Sequence, residues 1–160
     1  MAAHETMSLS MDRILSPAEG RPECLSRTEA GRKLEVAVIF TAVESTITAL
    51  KHAAFLASSL GARISLVVPH VVPYPLPLNE PPVALDFAER RFRVIAEHSR
   101  VETRVAVYLG RDRLQTLRAV LKPDSIVVIG GRKTWWPSAE KRLARGLRRA
   151  GHEVILSEKE

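Results

Sequence analysis

The amino-acid sequence predicts an α/β fold: a doubly wound, five-stranded parallel sheet of strand order 3-2-1-4-5, Rossmann-like or flavodoxin-like, with helices on both faces. Three observations predict it. Five short apolar runs rich in β-branched residues have the length and composition of strands buried on both sides. Four segments with apolar residues three or four apart separate them, as amphipathic helices do. The alternation βαβαβαβαβ then requires parallel strands joined by right-handed crossovers, which distributes the helices over both faces of one sheet.

Residues 1–33 are polar, with scattered Pro, Gly and Ser and no sustained period. They read as a flexible N-terminal arm with a short helical turn near Met11–Leu15. The α/β domain spans residues 34–160. Its first strand is EVAVIF, Glu35–Phe40. Thr41 and Glu44 fit a capping box that opens the first helix. Ile47, Leu50, Ala54 and Ala57 form that helix's apolar stripe, and Gly61 closes it. The second strand is RISLVV, Arg63–Val68.

Residues 69–82 hold six of the chain's 10 prolines. Proline fixes φ and lacks a donor, so the whole stretch is expected to be a stiff extended loop, a strap across the sheet end rather than a strand. The second helix covers about residues 83–99, with Leu85, Ala88, Phe92, Ile95 and Ala96 inward. ETRVAVYL, Glu102–Leu109, is the third strand, and the third helix runs over about 113–121, ending before Pro123. SIVVI, Ser125–Ile129, is the fourth strand. The last helix covers about 137–150, with Ala139, Leu143, Leu147 and Ala150 buried and Lys141, Arg142, Arg145, Arg148 and Arg149 on the opposite face. Gly151 closes it, and HEVILS, His152–Ser157, is the fifth strand.

A chain of 160 residues with 46% hydrophobic and 26% charged residues is expected to form one soluble domain with a sizeable core. No apolar run approaches the roughly 18–20 residues of a membrane span, and the start lacks the apolar centre of a signal peptide. A cytoplasmic location without membrane association is therefore expected. The lone Cys24 has no partner for an internal disulfide, and a metal site is not expected from His4, His52, His70, His98 and His152. The net charge of +6 sits largely on the last helix. With few aromatic residues and no nucleic-acid motif, nucleic acid is not the expected partner; a solvated basic face or an acidic protein partner is.

In the predicted strand order, ligands bind where the first and fourth strands part. The lining residues are then Thr41, Gly130, Gly131, Arg132 and Lys133, the candidate cofactor-binding set. A phosphate cradle needs spaced glycines that bring backbone N–H groups to the anion. VVIGGRKTWWP, residues 127–137, supplies two adjacent glycines and no G-x-G-x-x-G or G-x-x-x-x-G-K-[ST].

Two segments carry a family resemblance: VAVIFTAVESTITALKHAAFLASSLGARISLV at the first strand and helix, and SIVVIGGRKTWWPSAEKRLARGLRRAGHEVILSE at the end. From Leu34 to Glu158 the chain resembles the universal stress protein family. Nucleotide-binding members carry an Asp at the end of the first strand and G-x2-G-x9-G-[ST] after the fourth. Here Ile39 stands at the Asp position, Lys133 and Thr134 stand three residues beyond Gly130 and Gly131, and Leu143 stands ten beyond Lys133. The chain thus resembles the branch that does not hold ATP, in which a Trp precedes the last helix. Trp135 and Trp136 are expected to fill the room a phosphate loop leaves open, one over the sheet end and one toward the surface. Pro137 is expected at the first helical position.

Catalysis is not expected. Ser45, Ser58 and Ser59 lack a nucleophile-elbow context, and Asp86 with Glu89 reads as a solvated helical pair. Strand three carries Glu102 and Arg104, which discourage edge pairing, whereas Val154, Ile155 and Leu156 of the last strand leave an uncharged edge. The resemblance implies dimerisation through that strand, and a homodimer across Val154–Leu156 is expected. The functional expectation is a universal-stress-type protein acting through protein interaction in stress response, without a cofactor. The alternative is a nucleotide-binding or nucleotide-hydrolysing protein with a degenerate phosphate loop that holds ATP or AMP weakly.

Overall fold

The computed structural model describes residues 13–15, 34–77, 85–99 and 101–159. The strands are β1 (Arg13–Leu15), β2 (Glu35–Ile39), β3 (Arg63–Val71), β4 (Thr103–Gly110), β5 (Ile126–Arg132) and β6 (Glu153–Lys159). The helices are α1 (Val43–Leu60), α2 (Leu85–Ala96), α3 (Arg113–Val120) and α4 (Ala139–Arg149). The sheet runs β1-β4-β3-β2-β5-β6. Its five long strands are parallel and take the predicted 3-2-1-4-5 order, while β1 pairs antiparallel with β4.

Alternation along the strands divides the core in two. Val36, Val38, Ile64, Leu66, Val68, Val105, Val107 and Val128 face α1 and α2, where Ala49, Leu50, Ala53, Ala57, Phe92 and Ile95 meet them. The Phe40 ring closes this side edge-on against Phe92, with centroids 5.0 Å apart. Ala37, Ile39, Val67, Val127, Ile129 and Val154 face α3 and α4, against Leu117, Leu143, Ala144 and Leu147. Each strand therefore uses both faces, as the continuous apolar runs require.

Several local expectations change. The turn expected near Met11–Leu15 is extended at residues 13–15, and Ile14 stands opposite Arg104. The charges of strand three thus do not leave it an unpaired edge: a segment of the arm covers its main-chain donors and acceptors. The other residues of the arm, with Cys24, lie outside the described residues. In α1 the buried residues are Ser45, Thr46, Ala49, Leu50, Ala53 and Ala57, while Ile47 and Ala54 are only partly buried. The contact face is rotated toward small residues because the helix lies close to the sheet. Gly61 ends α1 with φ +62°, in the left-handed region where a glycine avoids the Cβ penalty.

Pro69 belongs to β3, not to a loop. Arg63 N–H bonds to the Leu34 carbonyl and Phe40 N–H to the Val67 carbonyl, so odd-numbered residues of β3 face β2. Ile64 N–H and Val72 N–H bond to the Glu102 and Gly110 carbonyls, so even-numbered residues face β4. The missing donor of Pro69 points to the β2 side, where β2 has already ended. The strand continues through the proline at no cost in hydrogen bonds.

Leu66→Ala is expected to lower unfolding free energy by about 2–5 kcal/mol, as core truncations do. Phe55→Ala, on a side chain 72% exposed, should stay within about 0.5 kcal/mol. Urea denaturation followed by far-ultraviolet circular dichroism measures both.

Candidate functional site

The candidate site lies where β2 and β5 end and the chain departs to opposite faces, into α1 and α4. β5 runs further than expected. Gly130 and Gly131 are buried strand residues, paired with Ser157 and Glu158 of β6, and the exposed Arg132 is paired with Lys159. Ladder alternation, set by the Glu153 N–H bond to the Ser125 carbonyl, turns Gly131 toward β6 and Gly130 toward the β2 side. The two glycines are therefore part of the sheet rather than a loose turn.

The reason for Gly130 is a close approach. A Cβ built there would lie 1.8 Å from the backbone oxygen of Ser45, in the first turn of α1. The helix start rests on the glycine's bare main chain. At Gly131 a Cβ would meet the Glu140 side chain, with its Cβ at 3.7 Å and Cγ at 3.9 Å, ordinary contacts. Small residues at the start of α1 allow the same approach; Ser45 and Thr46 are both buried.

Thr41 closes the mouth. Its Oγ1 donates to the Gly130 carbonyl at 3.0 Å, and its backbone N–H donates to Thr46 Oγ1 at 3.2 Å. The expected capping box does not form: the N-cap of α1 is Ala42, without a side-chain cap. The Thr41 hydroxyl is used across the crevice, so it is not available to the helix. Ile39, where the sequence resemblance places an Asp, is fully buried and paired with Val67 and Ile129.

The tryptophans do not fill the crevice. Trp135 is 90% exposed and Trp136 73% exposed, and neither packs over the sheet end. The added length of β5 carries residues 133–137 beyond the strand ends. Thr134 then organises the loop: its Oγ1 accepts from Trp136 N–H at 3.1 Å and also contacts the Trp136 carbonyl. The two indoles meet edge to face, centroids 6.3 Å apart and planes at 71°. Pro137 precedes the helix rather than opening it, because Ser138 is the N-cap and accepts from Lys141 N–H.

Sequence reasoning missed three organising cations. Lys141 is half-buried; its Nζ donates to the Thr134 carbonyl and lies 3.7 Å from Glu158 of β6. It tethers the tryptophan loop instead of solvating a basic face. Arg148 Nη2 donates to the Val154 carbonyl at 2.8 Å. Because Glu153 faces β5, Val154 faces outward, so this guanidinium sits on the β6 edge that the uncharged sequence left open. Arg111 Nη1 donates to the Val72 carbonyl at 2.9 Å, and its guanidinium lies 4.1 Å from the Tyr74 ring centroid. It binds the base of the proline-rich segment to the turn after β4. No sequence period announces these contacts, since each joins an arginine or lysine to a main-chain carbonyl.

The residues expected at a dimer interface are partly committed to the core. Val154 is buried, and the half-buried Ile155 and Leu156 pack against opposite core layers. What the outer edge of β6 presents is main chain. The side chains of Asp86 and Glu89 lie outside the described residues, and the described residues contain no group of three His, Cys, Asp or Glu able to hold a metal ion. None of the described helices is long and apolar enough to cross a membrane. The side chains at the strand ends, Thr41, Arg132, Lys133, Thr134, Trp135 and Trp136, are hydrogen-bonding, cationic or aromatic. They can bind and position; the carboxylates nearest to them are those of Glu140, packed beside Gly131, and Glu158, 3.7 Å from Lys141. The sequence matches no protein-family model and no curated protein.

Gly130→Ala is expected to destabilise by at least about 2 kcal/mol through overpacking against main chain. Gly131→Ala should change stability by less than about 1 kcal/mol. Thr41→Val, which leaves the Gly130 carbonyl without its donor, should cost about 1–2 kcal/mol. Equal effects of the two glycine substitutions in urea melts would refute the close approach.

Proposed function

We propose that this protein is a non-enzymatic, universal-stress-type module that works through protein contacts in stress response, in the cytoplasm and without a bound nucleotide. One observation supports this most: the two glycines are held in the sheet and do not form a phosphate-cradling turn. Gly130 lies under Ser45 and accepts from Thr41, and Gly131 belongs to the β5–β6 ladder. A nucleotide would have to displace sheet contacts before reaching the N–H groups of these two glycines. Arg132 and Lys133 supply exposed charge worth about 0.3–1 kcal/mol each, against about 8 kcal/mol for micromolar affinity. Ile39, in its apolar layer, offers no acceptor to a ribose or base.

Self-association through β6 is part of the proposal. The outward-facing main chain of Val154, Leu156 and Glu158 can pair with a second copy about a two-fold axis. Arg148 competes for the first of these carbonyls, so the association is expected to be modest and to strengthen when that arginine is removed. Ile155→Asp is a poor probe of it, because Ile155 packs against the core.

Isothermal titration with ATP, ADP and AMP is expected to show no binding tighter than about 10 μM, or roughly 7 kcal/mol. Tighter binding would replace this reading with that of a nucleotide-binding or nucleotide-hydrolysing protein. Light scattering should give a mass above the 17.7 kDa of one chain and a larger dimer fraction for Arg148→Ala; one-chain mass for both proteins would remove the dimer.

A further inference from the structure

Of the five cations on α4, two are used internally: Lys141 holds Thr134, and Arg148 holds Val154. Arg142, Arg145 and Arg149 are exposed and make no ion pair or side-chain hydrogen bond among the described residues. Their i, i+3, i+7 spacing puts them within an arc of about 60° on one face, over about 10.5 Å of helix. The indoles of Trp135 and Trp136 stand off the amino end of this helix, held there by the Thr134 turn and the Lys141 tether.

We infer that Trp135, Trp136, Arg142, Arg145 and Arg149 form a docking surface for an acidic helix of a partner protein, with an aliphatic side chain of that helix seated in the corner between the indoles. The inference rests on the protein-contact reading above and names the partner's chemistry. Guanidinium groups spaced by helical turns match carboxylates spaced the same way on a facing helix, each able to accept a paired hydrogen bond. Tryptophan and arginine are also the side chains that dominate the energetics of protein interfaces.

Two other anionic partners fit less well. Successive nucleic-acid bases stack in parallel, whereas the two rings stand at 71° to each other, so stacked bases could use only one of them. A bilayer-bound helix presents a continuous apolar face. On α4 the apolar residues Leu143, Ala144 and Leu147 are buried against the sheet, so the helix offers a bilayer no continuous apolar face beside the two indoles.

The test is calorimetric titration of the full chain with a synthetic helical peptide of roughly 15 residues, carrying glutamates at i, i+3 and i+7 and one leucine a turn beyond. Binding with a Kd below about 100 μM is expected. It should weaken about tenfold or more in Arg142→Glu/Arg145→Glu and in Trp135→Ser/Trp136→Ser, both checked for folding by circular dichroism, and by less than about threefold in Lys51→Glu, a charge change on exposed α1 surface. No binding, equal loss in Lys51→Glu, or tighter binding of oligothymidylate or of phosphatidylserine vesicles would each overturn the inference. A silent peptide with silent nucleotides removes this partner and leaves the nucleotide-free reading standing. Nucleotide binding removes that reading whatever the peptide does.

Discussion

The constraint on which the strand-end geometry depends is the contact of the α1 start with the bare main chain of Gly130. It brings a helix onto the sheet at a distance no side chain would permit. The small, hydroxyl-bearing residues Ser45 and Thr46 are buried as a result, and Thr41 is placed to bridge from the end of β2 to the end of β5. The crevice of a doubly wound sheet exists because neighbouring strands send their chains to opposite faces. Here that divergence is spanned by one hydrogen bond at its base.

The same contact explains why β5 is long. A strand whose glycines are pinned on one side by a helix and on the other by β6 has no freedom to turn at Gly130. It leaves the sheet only after Arg132. The tryptophans consequently emerge beyond the sheet, between a ladder-bound strand and a capped helix, with Lys141 joining the two. The exposed aromatic loop is thus a product of the closed crevice beneath it, not a substitute for it.

The fold was legible because buried parallel strands and amphipathic helices write their periods into the chain, and Gly61 wrote its own boundary. The site was legible only as an address. Thr41 and Gly130 were placed together correctly, but the sequence gives a threonine no preference between capping its own helix and bridging to a strand far along the chain. Likewise Gly-Gly reads equally as a turn and as a close approach; only the neighbour, Ser45, decides. Pro69 misled for the opposite reason. Its missing donor matters only on the side of the strand where a partner runs, and the sequence does not state where β2 stops. Lys141 and Arg148 looked like solvated charges because a contact from a long side chain to a carbonyl leaves no pattern in the residues around it.

The placement of the indoles has a spectroscopic consequence. Both tryptophans of the chain are adjacent and largely in water while the protein is native. Their emission reports on a surface loop and carries little information about the two apolar layers, so an experimenter following intrinsic fluorescence would watch the core dissolve with scarcely a change in signal. Anything that covers the rings of the native protein, by contrast, would move their emission to shorter wavelength.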